Sequence, residues 1–340
     1  MSQQVPQQQY RKLVARRLGV DFATVAEIET EAIPVPAADQ ILIRNQFAGI
    51  NAGFDTLLCR GEVPYVNLVP PFDLGVEAVG IVEAVGSAAS DFRIGEAVAT
   101  TQRGHGYREY QVIHAVQAVK IRAATPEILT LMPTGISALV GLEQAGEMAS
   151  RETVLITAAA GGIGHIAVQI AKLARNHVIG TCGSARKADL LHRLGCDRVI
   201  NYRQENVEDV LSQDYPNGID LVFDCVGKHL FDIGVDHLAI NGRFVIVGFI
   251  SEYGKALERV TRPRIYEKLF WKSASVRGFL LPRYAGLIPN ARDRLLDLYY
   301  NNQLKVNVDP TVFQGIEAIP SAVNYLLSGQ NCGKVVVQYA

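Results

Sequence analysis

The chain has 340 residues, enough for two domains with separate cores. Hydrophobic residues make up 49% of it, and 33 Lys and Arg nearly balance 34 Asp and Glu, which argues against a disordered chain and leaves no electrostatic footprint for a nucleic acid or an anionic membrane. Its longest apolar stretches are interrupted by Gly, His, Gln or charge short of the ~18 residues of a membrane span, and MSQQVPQQQY has neither the charged nor the apolar region of a signal peptide, so it reads as a frayed polar tail.

The first 130 residues read as β-rich. ILIRNQFAGI (41–50), VGIVEAVG (79–86) and YREYQVI (107–113) alternate or carry β-branched residues, and Gly and Pro punctuate PPFDLG (70–75) and FRIGEAV (92–98). A compact barrel-like domain of short strands is expected there. From residue 151 the rhythm changes. TVLITA (153–158) is an apolar run followed by GGIG and the helix-period segment HIAVQIAKLAR (165–175). HVIGTC (177–182) is a second strand, and ARKADLLHRLG (185–195) a helix ending at Gly195. RVINY (198–202), IDLVFDCV (219–226), GRFVIVGF (242–249) and ASVRGFL (274–280) follow as further strands. Continuous apolar strands alternating with helices predict an α/β fold with a doubly wound parallel sheet. The tail returns to a helix around RDRLLDLYYNNQLKV and a strand at GKVVVQ (333–338).

Five cysteines, Cys59, Cys182, Cys196, Cys225 and Cys332, are scattered, odd in number and form no CxxC pair. They read as idle thiols in a reducing compartment, which implies a cytoplasmic protein.

Within TAAAGGIGHIAVQIAK, Ala159-x-Gly161-x-x-Gly164 matches GxGxxG with Ala in the first place. It follows a predicted strand and opens a predicted helix, the setting that a dinucleotide needs. Gly161 and Gly162 would let the backbone approach a pyrophosphate at the helix N-terminus, next to Ile163, and Gly164 would let helix and strand pack closely. An acid that accepts the ribose 2′-OH of NAD stands about 20 residues further on. That position falls in GTCGSARK (180–187), where the first carboxylate after Gly180 is Asp189. Ser184, Arg186 and Lys187 come before it, with Tyr202 at the end of the next strand. A hydroxyl and cations without an acid suit a 2′-phosphate, so NADP (as NADPH) is the expected cofactor.

Together PPFDLGVEAVGIVEAVG (70–86), VLITAAAGGIGHIAVQIAK (154–172), LGCDRVINY (194–202), VIVGFISEYG (245–254), SASVRGFLL (273–281) and NCGKVVV (331–337) resemble the medium-chain dehydrogenase/reductase superfamily. The likeness runs over nearly the whole chain and is nearest its quinone oxidoreductase and prostaglandin 13-reductase branch. The resemblance implies a Rossmann NADP-binding domain at 131–282, inserted in a GroES-like catalytic domain made of 1–130 and 283–340. It also implies cofactor contacts from Asn51, Thr134, Cys225, Val247, Tyr253, Phe279, Leu281 and Asn331, and a homodimer paired through SVRGFLL.

Zinc-dependent members draw a His ligand from Gly-His-Glu, and the matching site here reads Gly75-Val76-Glu77. The four-Cys structural lobe is missing, and His105, His114 and Cys59 lack ligand spacing, with His105 read as a surface-loop residue. The expected metal content is none. Without a Lewis acid, conjugated carbonyls are the accessible substrates, since hydride at the β-carbon spreads charge into an enolate that needs a hydrogen-bond donor and a proton. Tyr65, in CRGEVPYVNLVPPF, and Tyr253 are candidate donors, with a solvent proton as the third option. The leading expectation is an NADPH-dependent enone reductase acting on a small apolar carbonyl compound. The alternatives are an NADPH:quinone oxidoreductase and, in a different class, a non-catalytic NADPH-binding structural protein. SEYGKALERVTRPRIYEKLFWKS (251–273), with Tyr266, Phe270 and Trp271, reads as a cover suited to an apolar ligand.

Overall fold

A computed structural model describes residues 8–253 and 259–339. Its strands are β1 (Gln9–Ala15), β2 (Ala26–Ala32), β3 (Gln40–Gly49), β4 (Phe72–Asp73), β5 (Ala78–Val85), β6 (Ala97–Thr100), β7 (Tyr110–His114) and β8 (Val119–Lys120). There follow β9 (Thr153–Ile156), β10 (His177–Cys182), β11 (Arg198–Asn201), β12 (Ile219–Asp224), β13 (Leu238–Ile246), β14 (Ser275–Gly278) and β15 (Val336–Gln338). The chain divides into two compact units, one of residues 1–132 and 308–340 and the other of 133–307.

In the second unit six parallel strands stand in the order β11-β10-β9-β12-β13-β14. This is the doubly wound order, in which the chain runs outward from β9 to β11 and then returns to the other side of β9. Val154, Ile156, Ile179, Val222 and Phe223 are fully buried, as continuous apolar runs in a sheet covered on both faces must be. The reversal of strand order lies between β9 and β12, so the crevice for a ligand opens beyond their carboxyl ends.

The first unit is antiparallel. β15, β3, β5, β6 and β8 form one sheet with β7 on β3, and β2, β1 and β4 form another. Its core gathers Leu13, Phe22, Ile50, Leu58, Leu74, Tyr107, Ile319 and Val337. Helix Ala52–Arg60 packs into it and stops at Gly61, whose φ of 68° is the left-handed conformation that ends helices.

Two expectations change, and one apolar run invites comparison with a membrane span. The polar start is already strand β1 at Gln9, and Tyr10 is 3% exposed, because β1 pairs along its whole length with β2. Residues 1–7 of that stretch and 254–258 of the predicted cover lie outside the described residues. Residues 283–307 sit with the parallel-sheet unit, since helix Ile288–Tyr300 packs on helix Gly135–Val140 and Arg294 pairs with Glu143. The run Pro126–Ala145 is long and apolar enough to cross a membrane by length and composition, yet 78% of its apolar window is buried and the backbone kinks at Met132.

Candidate dinucleotide site

At the carboxyl end of β9 the chain turns through Ala158, at φ 46°, and enters helix Gly164–Leu173. A Cβ on Gly164 would stand 2.6 Å from Ala159 Cα and closer still to the Ala158 carbonyl oxygen. Only glycine lets this helix begin so near the strand. At Gly161 a Cβ would meet only the Ala158 oxygen, at 3.2 Å, which leaves this backbone open to a ligand. The helix N-terminus with its uncapped N–H groups is therefore presented to an anion.

Two buried polar groups that the sequence reading missed hold this loop. His165 is fully buried, with Nδ1 2.7 Å from the Gly161 carbonyl oxygen, and its Nε2 accepts from Asn307 N–H at 3.2 Å. Donation from Nδ1 and acceptance at Nε2 set one neutral tautomer. Asp224, fully buried at the end of β12, accepts from Thr157 Oγ1 at 2.5 Å, Val226 N–H at 3.0 Å and Gly227 N–H at 2.9 Å. Thr157 Oγ1 in turn accepts Cys225 N–H at 2.9 Å, and the Asp224 carbonyl accepts Val247 and Gly248 N–H. Burial raises the Asp224 carboxyl above the usual aspartate range, against these three donors. The Asp224 carboxylate thus ties the start of the glycine loop to the segment after β12, and its main-chain carbonyl holds the segment carrying Val247. A carboxylate closing an otherwise apolar strand was the signal available in the sequence.

The second corner lies beyond β10. Tyr202 N–H donates to the Cys182 carbonyl, and the Tyr202 ring lies over Gly183, where a Cβ would collide with it. Ser184 is the N-cap of helix Ala185–Arg193, its Oγ accepting Lys187 N–H at 3.4 Å. Ser184 therefore has a structural task besides the one read from its hydroxyl, and its O–H remains a donor. Gly183, Ser184, Lys187 and half-exposed Tyr202 are gathered at one end of β10, and the run from Gly183 to Lys187 contains no carboxylate.

Among the remaining candidates, Thr134 is buried and Phe279 stacks on Tyr284 at 5.4 Å, with its N–H on the Ile246 carbonyl. Leu281 is half-buried. Tyr253 packs on Phe249 at 4.6 Å, and its hydroxyl accepts the Phe249 N–H at 3.4 Å. Burial and the adjoining Asp224 carboxyl raise the Cys225 thiol, so it is not a ready nucleophile. Tyr266, Phe270 and Trp271, on helix Tyr266–Lys272, are exposed.

The first unit carries Asn51, Tyr65 and Asn331. Asn51 precedes helix Ala52–Arg60 and sits over a buried ionic cluster. Its Nδ2 donates to Glu77 Oε1 at 2.9 Å, and its Oδ1 accepts from Lys334 Nζ at 3.1 Å. Lys334 and Glu77, 3% and 0% exposed by side chain, form an ion pair at 2.6 Å. Asp55 accepts from Tyr107 Oη at 2.5 Å and from the Asn51 N–H at 3.3 Å. Burial raises its carboxyl to about 7. Tyr65 is 48% exposed, and partial burial raises its hydroxyl while Arg103 acts in the opposite direction. The Asn331 amide donates to the Gly333 carbonyl within its own turn.

The same cluster bears on zinc. Glu77 is committed to Lys334 and Asn51, and among the described residues no group of three His, Cys, Asp or Glu is placed to hold a metal ion. The residues present do not fit a zinc centre. His105 is not a surface-loop residue: the backbone of Gly106 packs on Val76 and Glu77, and burial lowers the imidazole to about 4. His114 is exposed and 2.8 Å from Asp39.

A doubly wound sheet, a glycine loop opening a helix at its switch point and a separate antiparallel domain define a two-domain nucleotide-dependent dehydrogenase. Residues 37–123 match the model for the alcohol dehydrogenase GroES-like domain, and residues 162–298 that for the zinc-binding dehydrogenase. The chain belongs to the medium-chain dehydrogenase/reductase superfamily. It is 42% identical to prostaglandin reductase-3 of Mus musculus, over 96% of this chain and 89% of that protein. It is 35% identical to a probable quinone oxidoreductase of Leishmania amazonensis, covering 97% and 98% of the two chains. Escherichia coli quinone oxidoreductase, solved as a complex with NADPH, superposes with a TM-score of 0.82 at 28% identity, over 96% of this chain and 99% of that one.

Proposed function

We propose that this chain is an NADPH-dependent, zinc-independent reductase that delivers hydride to the β-carbon of an α,β-unsaturated ketone or alkenal. What carries the reading is two features at the carboxyl ends of neighbouring strands: the Gly161–Gly164 loop at a helix N-terminus, and the run Gly183–Lys187, which holds a hydroxyl and cations with no acid in it and has Tyr202 beside it. The likeness to prostaglandin reductase-3, and to a quinone oxidoreductase crystallised with NADPH, supports it.

Bound NADPH supplies the hydride. The chain's own residues do the rest. Gly161, Gly162, Ile163 and Gly164 give a backbone cradle for the pyrophosphate, and Ser184 O–H, Lys187 and Tyr202 O–H suit the 2′-phosphate. Asn51, Thr134, Cys225, Val247, Phe279, Leu281 and Asn331 would line the nicotinamide region. Tyr65 is the favoured proton donor to the enolate. No hydrogen-bond partner engages its hydroxyl among the described residues, and its raised pKa keeps the proton on at neutral pH. Tyr253, whose hydroxyl already accepts a backbone N–H, is the second candidate.

Among the described residues β14 pairs with β13 alone, so its other edge suits the antiparallel pairing of two copies in a homodimer. Five unbridged cysteines, four of them buried, agree with a reducing, cytoplasmic setting. The quinone reading shares every cofactor contact and rests on the quinone oxidoreductase likeness.

NADPH oxidation against a panel of enones, alkenals and quinones, repeated with NADH and after chelation, tests these readings together. Turnover of enones that survives chelation and prefers NADPH is expected. Turnover of quinones alone would select the second reading. Binding of NADPH without turnover of any acceptor would select the non-catalytic one.

A further inference from the structure

An asparagine amide can turn over about its last bond, exchanging oxygen for NH2 at almost no steric cost. Asn51 is placed so that this exchange is strongly opposed. Its Oδ1 faces the Lys334 ammonium, which can only donate, and its Nδ2 faces the Glu77 carboxylate, which accepts. Turned over, both bonds would become repulsive contacts. Both charges are almost fully buried, so water does little to screen them.

The Lys334 ammonium pairs with Glu77 Oε1 at 2.6 Å and donates to Ile50 O and Asn51 Oδ1, each at 3.1 Å. The carboxylate has its own space, since a Cβ on Gly49 would collide with Glu77 Oε1. The Asn51 backbone is also pinned, by its N–H to Asp55 Oδ2. A buried ion pair is a poor source of stability, because desolvation offsets most of the attraction. What this one supplies is orientation. One Nδ2 hydrogen is committed to Glu77, and the other has no partner among the described residues.

We propose that the buried Glu77–Lys334 pair acts as a positioning device for Asn51, locking its amide so that the uncommitted N–H stands as a fixed donor to a carbonyl or enolate oxygen. The proposal rests on the reading of Asn51 as a residue of the reductase site. It makes Glu77 and Lys334 positioning residues that act through Asn51 without touching substrate.

Two measurements test it. In the cofactor-free protein, the side-chain amide resonances of Asn51 are identified by their loss in Asn51→Ala. Wild type should show two well-separated proton lines protected from exchange. The double variant Glu77→Met/Lys334→Met should move them toward the positions of a solvent-exposed asparagine, and Glu77→Gln, which keeps the side-chain shape, should move them less. Unchanged lines in both variants would overturn the proposal. The double variant buries no lone charge, so its Tm should exceed that of Lys334→Met, which strands Glu77.

In turnover with NADPH, Asn51→Ala and Glu77→Met/Lys334→Met should each lower kcat by about 10- to 100-fold, as loss of an orienting partner does elsewhere. Asn51→Ala added to the double variant should then cost almost nothing more. An equal cost of Asn51→Ala in both backgrounds would overturn the coupling. Failure of the wild-type protein to oxidise NADPH with any acceptor would sink the reductase reading instead, and the amide resonances would still decide the orientation.

Discussion

Two glycines of one loop should fail in different ways when given a methyl group. In Gly164→Ala the new Cβ lands 2.6 Å from Ala159 Cα and 2.8 Å from Ala159 C, and nearer still to the Ala158 oxygen. All three are backbone atoms, so relief requires moving the helix Gly164–Leu173 off β9. Overpacking of this kind costs about 1–3 kcal/mol. Alanine returns at most about 1 kcal/mol of helix propensity at this first helical position. The net loss of up to about 2 kcal/mol should lower Tm by up to roughly 8 °C, at about 2–4 °C per kcal/mol for a unit of this size. Gly161→Ala meets one atom at 3.2 Å, which a shift of a few tenths of an ångström relieves, so its Tm should stay near wild type. That methyl would instead occupy the approach to the helix N-terminus, where the pyrophosphate is expected. Thermal unfolding of the cofactor-free variants, with NADPH titration followed by its fluorescence, separates the two effects. The reasoning is wrong if Gly161→Ala is the more destabilised variant, or if it binds NADPH as tightly as wild type.

Asp55 contributes a pH dependence of the less common sign. Its carboxyl is raised from 3.8 to about 7 in the folded state, so the fold holds a proton that the unfolded chain releases, and stability is present below pH 4 and lost as pH rises through 7. The full difference is on the order of 4 kcal/mol. Asp55→Asn should therefore gain on wild type between pH 5 and pH 8.5 in urea unfolding, and a pH-independent difference would refute the assignment. Asp224→Asn places an NH2 group among three donors, from Thr157, Val226 and Gly227. A loss of about 1–3 kcal/mol with weakened NADPH binding is expected, and an unchanged dissociation constant would show that the glycine loop and the segment after β12 hold without the carboxylate. Lys187→Ala should raise the KM for NADPH about tenfold and leave that for NADH nearly untouched; equal effects would make Lys187 an ordinary surface residue.

What local chemistry encodes was legible along the chain. Apolar runs such as TVLI and HVIGTC are buried on both faces, so they became the parallel strands β9 and β10. GGIG marked the helix start because glycine alone tolerates the contact at Gly164. GTCGSARK, with a hydroxyl and cations and no acid before Asp189, led to the expectation of NADPH. These are short-range properties: side-chain period, backbone freedom and the sign of charge within a few residues.

Tertiary structure decided what depends on distant partners. Strand β1 lacks a clear pattern of its own and exists by pairing with β2. Residues 283–307 carry no boundary signal, and helix Ile288–Tyr300 joins the sheet unit because its apolar face meets helix Gly135–Val140. Asp224 reads as the end of a strand until Thr157, 67 residues away, meets its carboxylate. Glu77 first marked only a missing histidine. Lys334, 283 residues from Asn51, turned it into half of a buried pair, since two charges removed from water must find each other wherever the chain brings them.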